Sequence, residues 1–68
     1  MAQYYVNDHE QPNGDHEVHN DNCPYLSKIV SKTPLGEHAS CHTAVAVAKQ
    51  IYPTADGCAT CSPECHTS

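Results

Sequence analysis

The sequence predicts an α+β domain in which a short antiparallel sheet is covered on one face by one main helix. Three observations predict it. The stretch 41–52 repeats apolar and small residues at helical spacing and stops at Pro53. Short runs rich in tyrosine and β-branched residues are separated by turn chemistry elsewhere. Cysteine and histidine fall in closely spaced pairs near both ends of the chain, so something other than a large core ties the halves together. The 68 residues contain no repeat or low-complexity tract, and the chain reads as one domain, 1–68, with an N-terminal strand and loop over 1–15 and a metal-binding module over 16–66.

Residues 3–6, Gln-Tyr-Tyr-Val, suit a first strand. Residues 7–15 read as a loop around Pro12 and the strong turn pair Asn13-Gly14. A second strand over 15–19 runs antiparallel to the first with Val18 inward. Alternate side chains share a face in an extended segment, so His16 and His19 point to opposite sides and do not serve one ion together. His9 and His16 then read as solvated loop histidines. Residues 27–34 have no clean period and read as loop, and 35–39 as a short third strand with Gly36 at a bend. Ser40 is the expected N-cap of the helix 41–52, with Cys41, Ala44, Val45, Ala48, Ile51 and Tyr52 as its buried stripe and His42, Lys49 and Gln50 facing water. Residues 54–57 read as a turn, and Ser62-Pro63-Glu64 starts one further helical turn carrying Cys65 and His66.

The core available to these elements is thin. There is no Trp or Phe, and the large aliphatics are few for a chain near the size at which a hydrophobic core alone is marginal. A structural zinc ion, with an apparent binding free energy of about 10–16 kcal/mol in small modules, is large enough to settle the balance. Cys58-Ala59-Thr60-Cys61, introduced by Asp56-Gly57, has the form of a knuckle whose sulfurs converge on a tetrahedral ion. His19-x3-Cys23, with Asn20-Asp21-Asn22 as the turn, supplies the second pair across 34 intervening residues. The expected ligands are therefore His19, Cys23, Cys58 and Cys61, one pair from each half. The competing set replaces His19 by Cys65 or His66. Cys41 reads as a buried small residue, as a partner of Cys65, or as a thiol made reactive by a helix N-terminus. Five cysteines cannot all pair within one chain, and the metal-free alternative is a domain stapled by two disulfides with one thiol to spare.

Three lysines and no arginine against eight acidic residues give a formal net charge of −5, which disfavours nucleic acid and favours a basic protein partner. Asp8, Glu10, Asp15, Glu17 and Asp21 form the acidic stretch such a partner would meet. The chain lacks an apolar run of membrane-spanning length and the features of a secretory signal, so a cytoplasmic location is expected. No Ser/His/Asp arrangement is readable, and an ion with four protein ligands has no open position for water, so an enzyme is not expected. The functional expectation is a zinc-stabilised interaction module; the alternative is a thiol-based redox or metal sensor using Cys41 and Cys65.

The order His19-x3-Cys23-Pro24-Tyr25-Leu26, Leu35-Gly36, a Ser40-capped alanine-rich helix and Gly57-Cys58-x2-Cys61 resembles the amino-terminal zinc domain of the Ada methyl-repair proteins, and short bacterial proteins of similar pattern. The resemblance covers residues 16–66. It implies a small α+β zinc fold with His19, Cys23, Cys58 and Cys61 as ligands. The family's first ligand is a methyl-accepting cysteine where this chain has His19, and its basic DNA-facing residues have no counterpart around Cys58 to Glu64. The fold is thus implied without the repair chemistry.

Overall fold

In the computed structural model, which describes residues 1–67, the first strand runs through the middle of the sheet. β1 (Ala2–Asn7) pairs antiparallel with β2 (His16–Asn20) on one side and with β3 (Lys32–His38) on the other. A helix, α1 (Cys41–Ile51), then crosses back to β4 (Ala55–Gly57), which adds in parallel to the free edge of β2. The strand order is β3-β1-β2-β4. Single 3-10 turns at Leu26–Lys28 and Pro63–Cys65 complete the chain. The fold is α+β, as the sequence predicts.

Period-two alternation sorts the two faces of the sheet. Tyr4, Val6 and Val18 point to the helix side, with Val6 opposite Val18, and join Leu35, Ala44, Ala48 and Ala55 in the core. Tyr5, Glu17 and His19 lie on the other face, where Tyr5 is opposite His19. Ala44 and Ala48 are fully buried, and their small side chains let α1 approach the strands closely.

Three details differ from expectation. The sheet is mixed and has a fourth strand where a turn was expected at 54–57; Ala-Asp-Gly is too short and too polar to show strand alternation, yet all three residues are buried. β3 begins at Lys32, inside the segment 27–34 read as loop, because Thr33 pairs with Val6 and Ser31 O accepts from Asp8 N. The bend expected at Gly36 is present: the register slips by one residue opposite Tyr4 and Tyr5, and Gly36 takes a positive φ of 85°, a backbone state glycine adopts without strain. Ser40 has the extended backbone of an N-cap but its hydroxyl makes no cap; its carbonyl instead accepts from Thr43 Oγ1 at 3.3 Å.

The helix stripe is also narrower than expected. Ile51 is 47 % exposed, and Val45 and Tyr52 are half-buried. Tyr52 caps the core end in place of Ile51: its hydroxyl donates to Asp8 Oδ1 at 2.9 Å, and its ring stacks on His16 at 3.9 Å between centroids. His16 is therefore part of the fold and not a solvated loop histidine. Its Nδ1–H donates to Asn7 O at 2.9 Å. No helix among the described residues is long and apolar enough to cross a membrane.

Candidate metal centre

The parallel pairing of β2 with β4 decides where the two knuckles meet. Val18 stands beside Gly57, and Cys58 N donates to Val18 O at 3.0 Å, so the next residue on each strand, His19 and Cys58, arrive side by side. Each strand then runs into a tight turn that brings a second sulfur back. Cys23 N donates to Asn20 O at 3.2 Å, and Ser62 N donates to Cys58 O at 2.8 Å. Asn20 joins the two turns: its Oδ1 accepts from Asn22 N at 3.0 Å, and its Nδ2 donates to Cys61 O at 3.4 Å.

One donor atom from each of His19, Cys23, Cys58 and Cys61 lies within 4.8 Å of the other three. Cys23 Sγ is 3.4 Å from His19 Nδ1 and 4.0 Å from Cys58 Sγ, and Cys61 Sγ is 3.9 Å from His19 Nδ1. The edges of a tetrahedron around one ion with sulfur at about 2.3 Å and nitrogen at about 2.05 Å are about 3.8 Å for S···S and about 3.6 Å for N···S. The donors are thus spaced to hold a metal ion, and Cys23 and Cys58 stand far beyond disulfide distance.

The electrostatics of the cluster are compatible with a bound cation. Burial pushes the Cys23 thiol up to about 12, and the neighbouring Cys61 and Cys58 push it the same way against the Tyr25 backbone amide. A metal-free thiolate here is costly, whereas a cation at the centre of the donors would reverse that penalty. The Tyr4 phenol is held above its ordinary value first by burial, then by Cys61, Glu64 and Asp21, so the local field is negative. His19 is 1 % exposed, and burial holds its imidazole below the usual range in spite of Glu17, which keeps it in the neutral form a metal requires. Its Nε2 is buried without a hydrogen bond and sits 3.5 Å from Glu17 Oε1, close enough for electrostatic contact but not aligned as a hydrogen bond. A carboxylate beside Nε2 favours the tautomer with hydrogen there, in which the Nδ1 lone pair would face the sulfurs.

The remaining sequence-derived residues lie elsewhere. Cys41 and Cys65 are bridged to each other. His66 Nδ1–H donates to Gly57 O at 3.0 Å and lies 3.4 Å from Asp56 Oδ2, outside the four-donor cluster. Asp56 also accepts from Thr67 N and Thr67 Oγ1, which ties the C-terminal tail to β4. Within the acidic stretch, Asp8 accepts from Ser31, Thr33 and Tyr52, and Glu17 faces His19, so both act within the fold. A groove of about 640 Å³ runs beside the centre, walled by Glu17, His19, Tyr25, Lys28, Val30 and Cys58 among others. The sequence marks Asn20 as part of the turn between His19 and Cys23, but not its link to Cys61 or the placement of Glu17 beside His19. Glu17 was recoverable, since residues two apart on a strand share a face; the bridge from Asn20 to Cys61 depends on a contact across 41 positions.

Comparison of the chain with protein-family models, with curated proteins and with solved structures finds no match.

Proposed function

We propose that the chain is a zinc-stabilised interaction module whose metal is structural. The observation that carries this reading is the convergence of His19, Cys23, Cys58 and Cys61 from the two halves of the chain at tetrahedral spacing. Three sulfurs and one imidazole in a tetrahedron suit Zn²⁺ better than oxygen-seeking cations, and four protein donors fill its coordination, which is the mark of a structural rather than a catalytic site. The ion would supply no reaction here; it would hold β2, β4 and their turns as one unit. The net charge of −5 favours a basic protein segment as the partner, and the groove beside the centre offers that segment both apolar wall and carboxylate.

Native mass spectrometry of the non-reduced protein tests the metal. One zinc per chain with three alkylatable thiols after denaturation is expected, and chelation should lower the melting temperature by tens of degrees. A chain that carries no metal and melts unchanged in strong chelator overturns the reading.

A further inference from the structure

A second group of donors lies at a different place in the fold, and the four-donor centre uses none of it. Cys41 is the first residue of α1, Cys65 closes the 3-10 turn Pro63–Cys65, and the two form a disulfide across a sequence separation of 24. His42, the next helix residue, is exposed, and its Nδ1 lies 3.5 Å from Cys65 Sγ. Donor atoms of Cys41, His42 and Cys65 all lie within 4.8 Å of one another.

We propose that reduction of this bridge opens a second metal site, in which Cys41 Sγ, Cys65 Sγ and His42 Nδ1 bind a thiophilic divalent cation and leave its fourth position to water. In the bridged state neither sulfur carries thiolate charge, and the site is shut. A dithiol reductant opens it by exchange: the Cys41–Cys65 S–S bond breaks, the two cysteines take up two electrons and two protons, and the dithiol becomes a disulfide. The cation then displaces both thiol protons to solvent and forms two metal–sulfur bonds and one metal–nitrogen bond.

The arrangement suits this role in several independent ways. The 3.5 Å from His42 Nδ1 to Cys65 Sγ already matches the roughly 3.6 Å N···S edge of a tetrahedral site. Cys41 sits where the N-terminal end of α1 favours a thiolate. Access to the group exists, because a cavity of about 400 Å³ is walled by His42, Lys49, Asp56, Glu64 and Cys65. Reduction need not release the tail: Asp56 still holds Thr67, His66 still donates to Gly57 O, and Cys65 still packs on the bare Cα of Gly57. The three donors therefore stay placed after the bridge is cut, and only side-chain rotation is needed to part the sulfurs to about 3.8 Å.

The test uses the full chain and zinc alone as the probe. The protein is saturated with Zn²⁺ without reductant, its stoichiometry is read by native mass spectrometry, and the reading is repeated after a phosphine reductant and renewed zinc. One ion before and two after are expected; His42→Ala should weaken the second ion at least tenfold and leave the first unchanged, and Cys41→Ser with Cys65→Ser should abolish the second. One ion before and one after, with two new alkylatable thiols, overturns the second site. So does a bridge that resists reduction in the folded protein. No ion before and one after, sensitive to His42→Ala, would support this site while overturning the structural-zinc reading.

Discussion

Gly57→Ala would place a methyl carbon 2.6 Å from Cys65 Cβ, 2.8 Å from its carbonyl carbon and 2.9 Å from its carbonyl oxygen. Carbon atoms in favourable contact are about 3.5–4.0 Å apart, so β4 or the Cys65 segment must move by about 1 Å. Neither moves freely. Cys65 is bridged to Cys41, Asp56 holds Thr67 behind it, and β4 is paired along β2. Overpacking of this kind costs about 1–3 kcal/mol, and two of the three close atoms are backbone, which places the expected loss near 3 kcal/mol. Cys58 is the adjoining residue, so the same displacement should lower zinc affinity at least tenfold. Gly14→Ala is the control: its φ of +91° strains any side chain, but nothing lies within 4 Å, so a loss of about 1–2 kcal/mol with unchanged zinc affinity is expected. Urea unfolding of the zinc-saturated proteins, with slopes compared, gives the stabilities, and competition with a chromophoric chelator gives the affinities. Gly57→Ala within about 0.5 kcal/mol of the parent, or no costlier than Gly14→Ala, would refute the argument that β4 is clamped between the tail and the metal centre.

What could be read from the sequence was whatever repeats over several residues or sits in a short motif. The stretch 41–52 has helical period and a proline stop, and all of it but Tyr52 is the helix; Tyr4, Val6 and Val18 alternate, and they face the core. The placement of His16 and His19 on opposite faces followed from strand geometry alone, and the structure sends one to Tyr52 and the other to the sulfurs. β4 was invisible because its three residues resemble a turn, and its strand character comes wholly from the edge that β2 offers. The narrowed helix stripe was hidden for a related reason: Tyr52 is drawn away by Asp8, a partner 44 positions distant, and Ile51 is left outside. Local signals thus singled out His19, Cys23, Cys58 and Cys61, while the parallel pairing that clusters them was a tertiary result.

Removing the bridge by Cys41→Ser with Cys65→Ser should cost about 3.5 kcal/mol from the loop closed by a separation of 24, with one zinc still bound, as read by urea unfolding and native mass spectrometry. Asp8 is held below the usual carboxylate range first by Ser31, then by Thr33 and Tyr52, so its contribution is present above the unfolded value near pH 4 and is lost as pH falls through the lower folded value. Asp8→Asn should therefore lower stability by roughly 1 kcal/mol at pH 7 and flatten the acid limb of the stability curve; an acid limb identical to the parent's would assign that limb to other carboxylates. The remaining prediction concerns Glu17, whose carboxylate faces the buried Nε2 of His19 at 3.5 Å. Its negative charge favours the tautomer with hydrogen on Nε2, which frees Nδ1 for the ion and raises the imidazole's basicity as a ligand. Glu17→Gln keeps the shape and removes the charge, so zinc affinity should fall about tenfold while metal-free stability changes by less than about 0.5 kcal/mol. Cobalt(II) substituted at the centre should keep tetrahedral absorption with a shifted ligand-field band, because the donor set is unchanged. If affinity and spectrum are both those of the parent, the carboxylate does not tune His19; if affinity falls only in step with stability, Glu17 acts on the strand and not on the ligand.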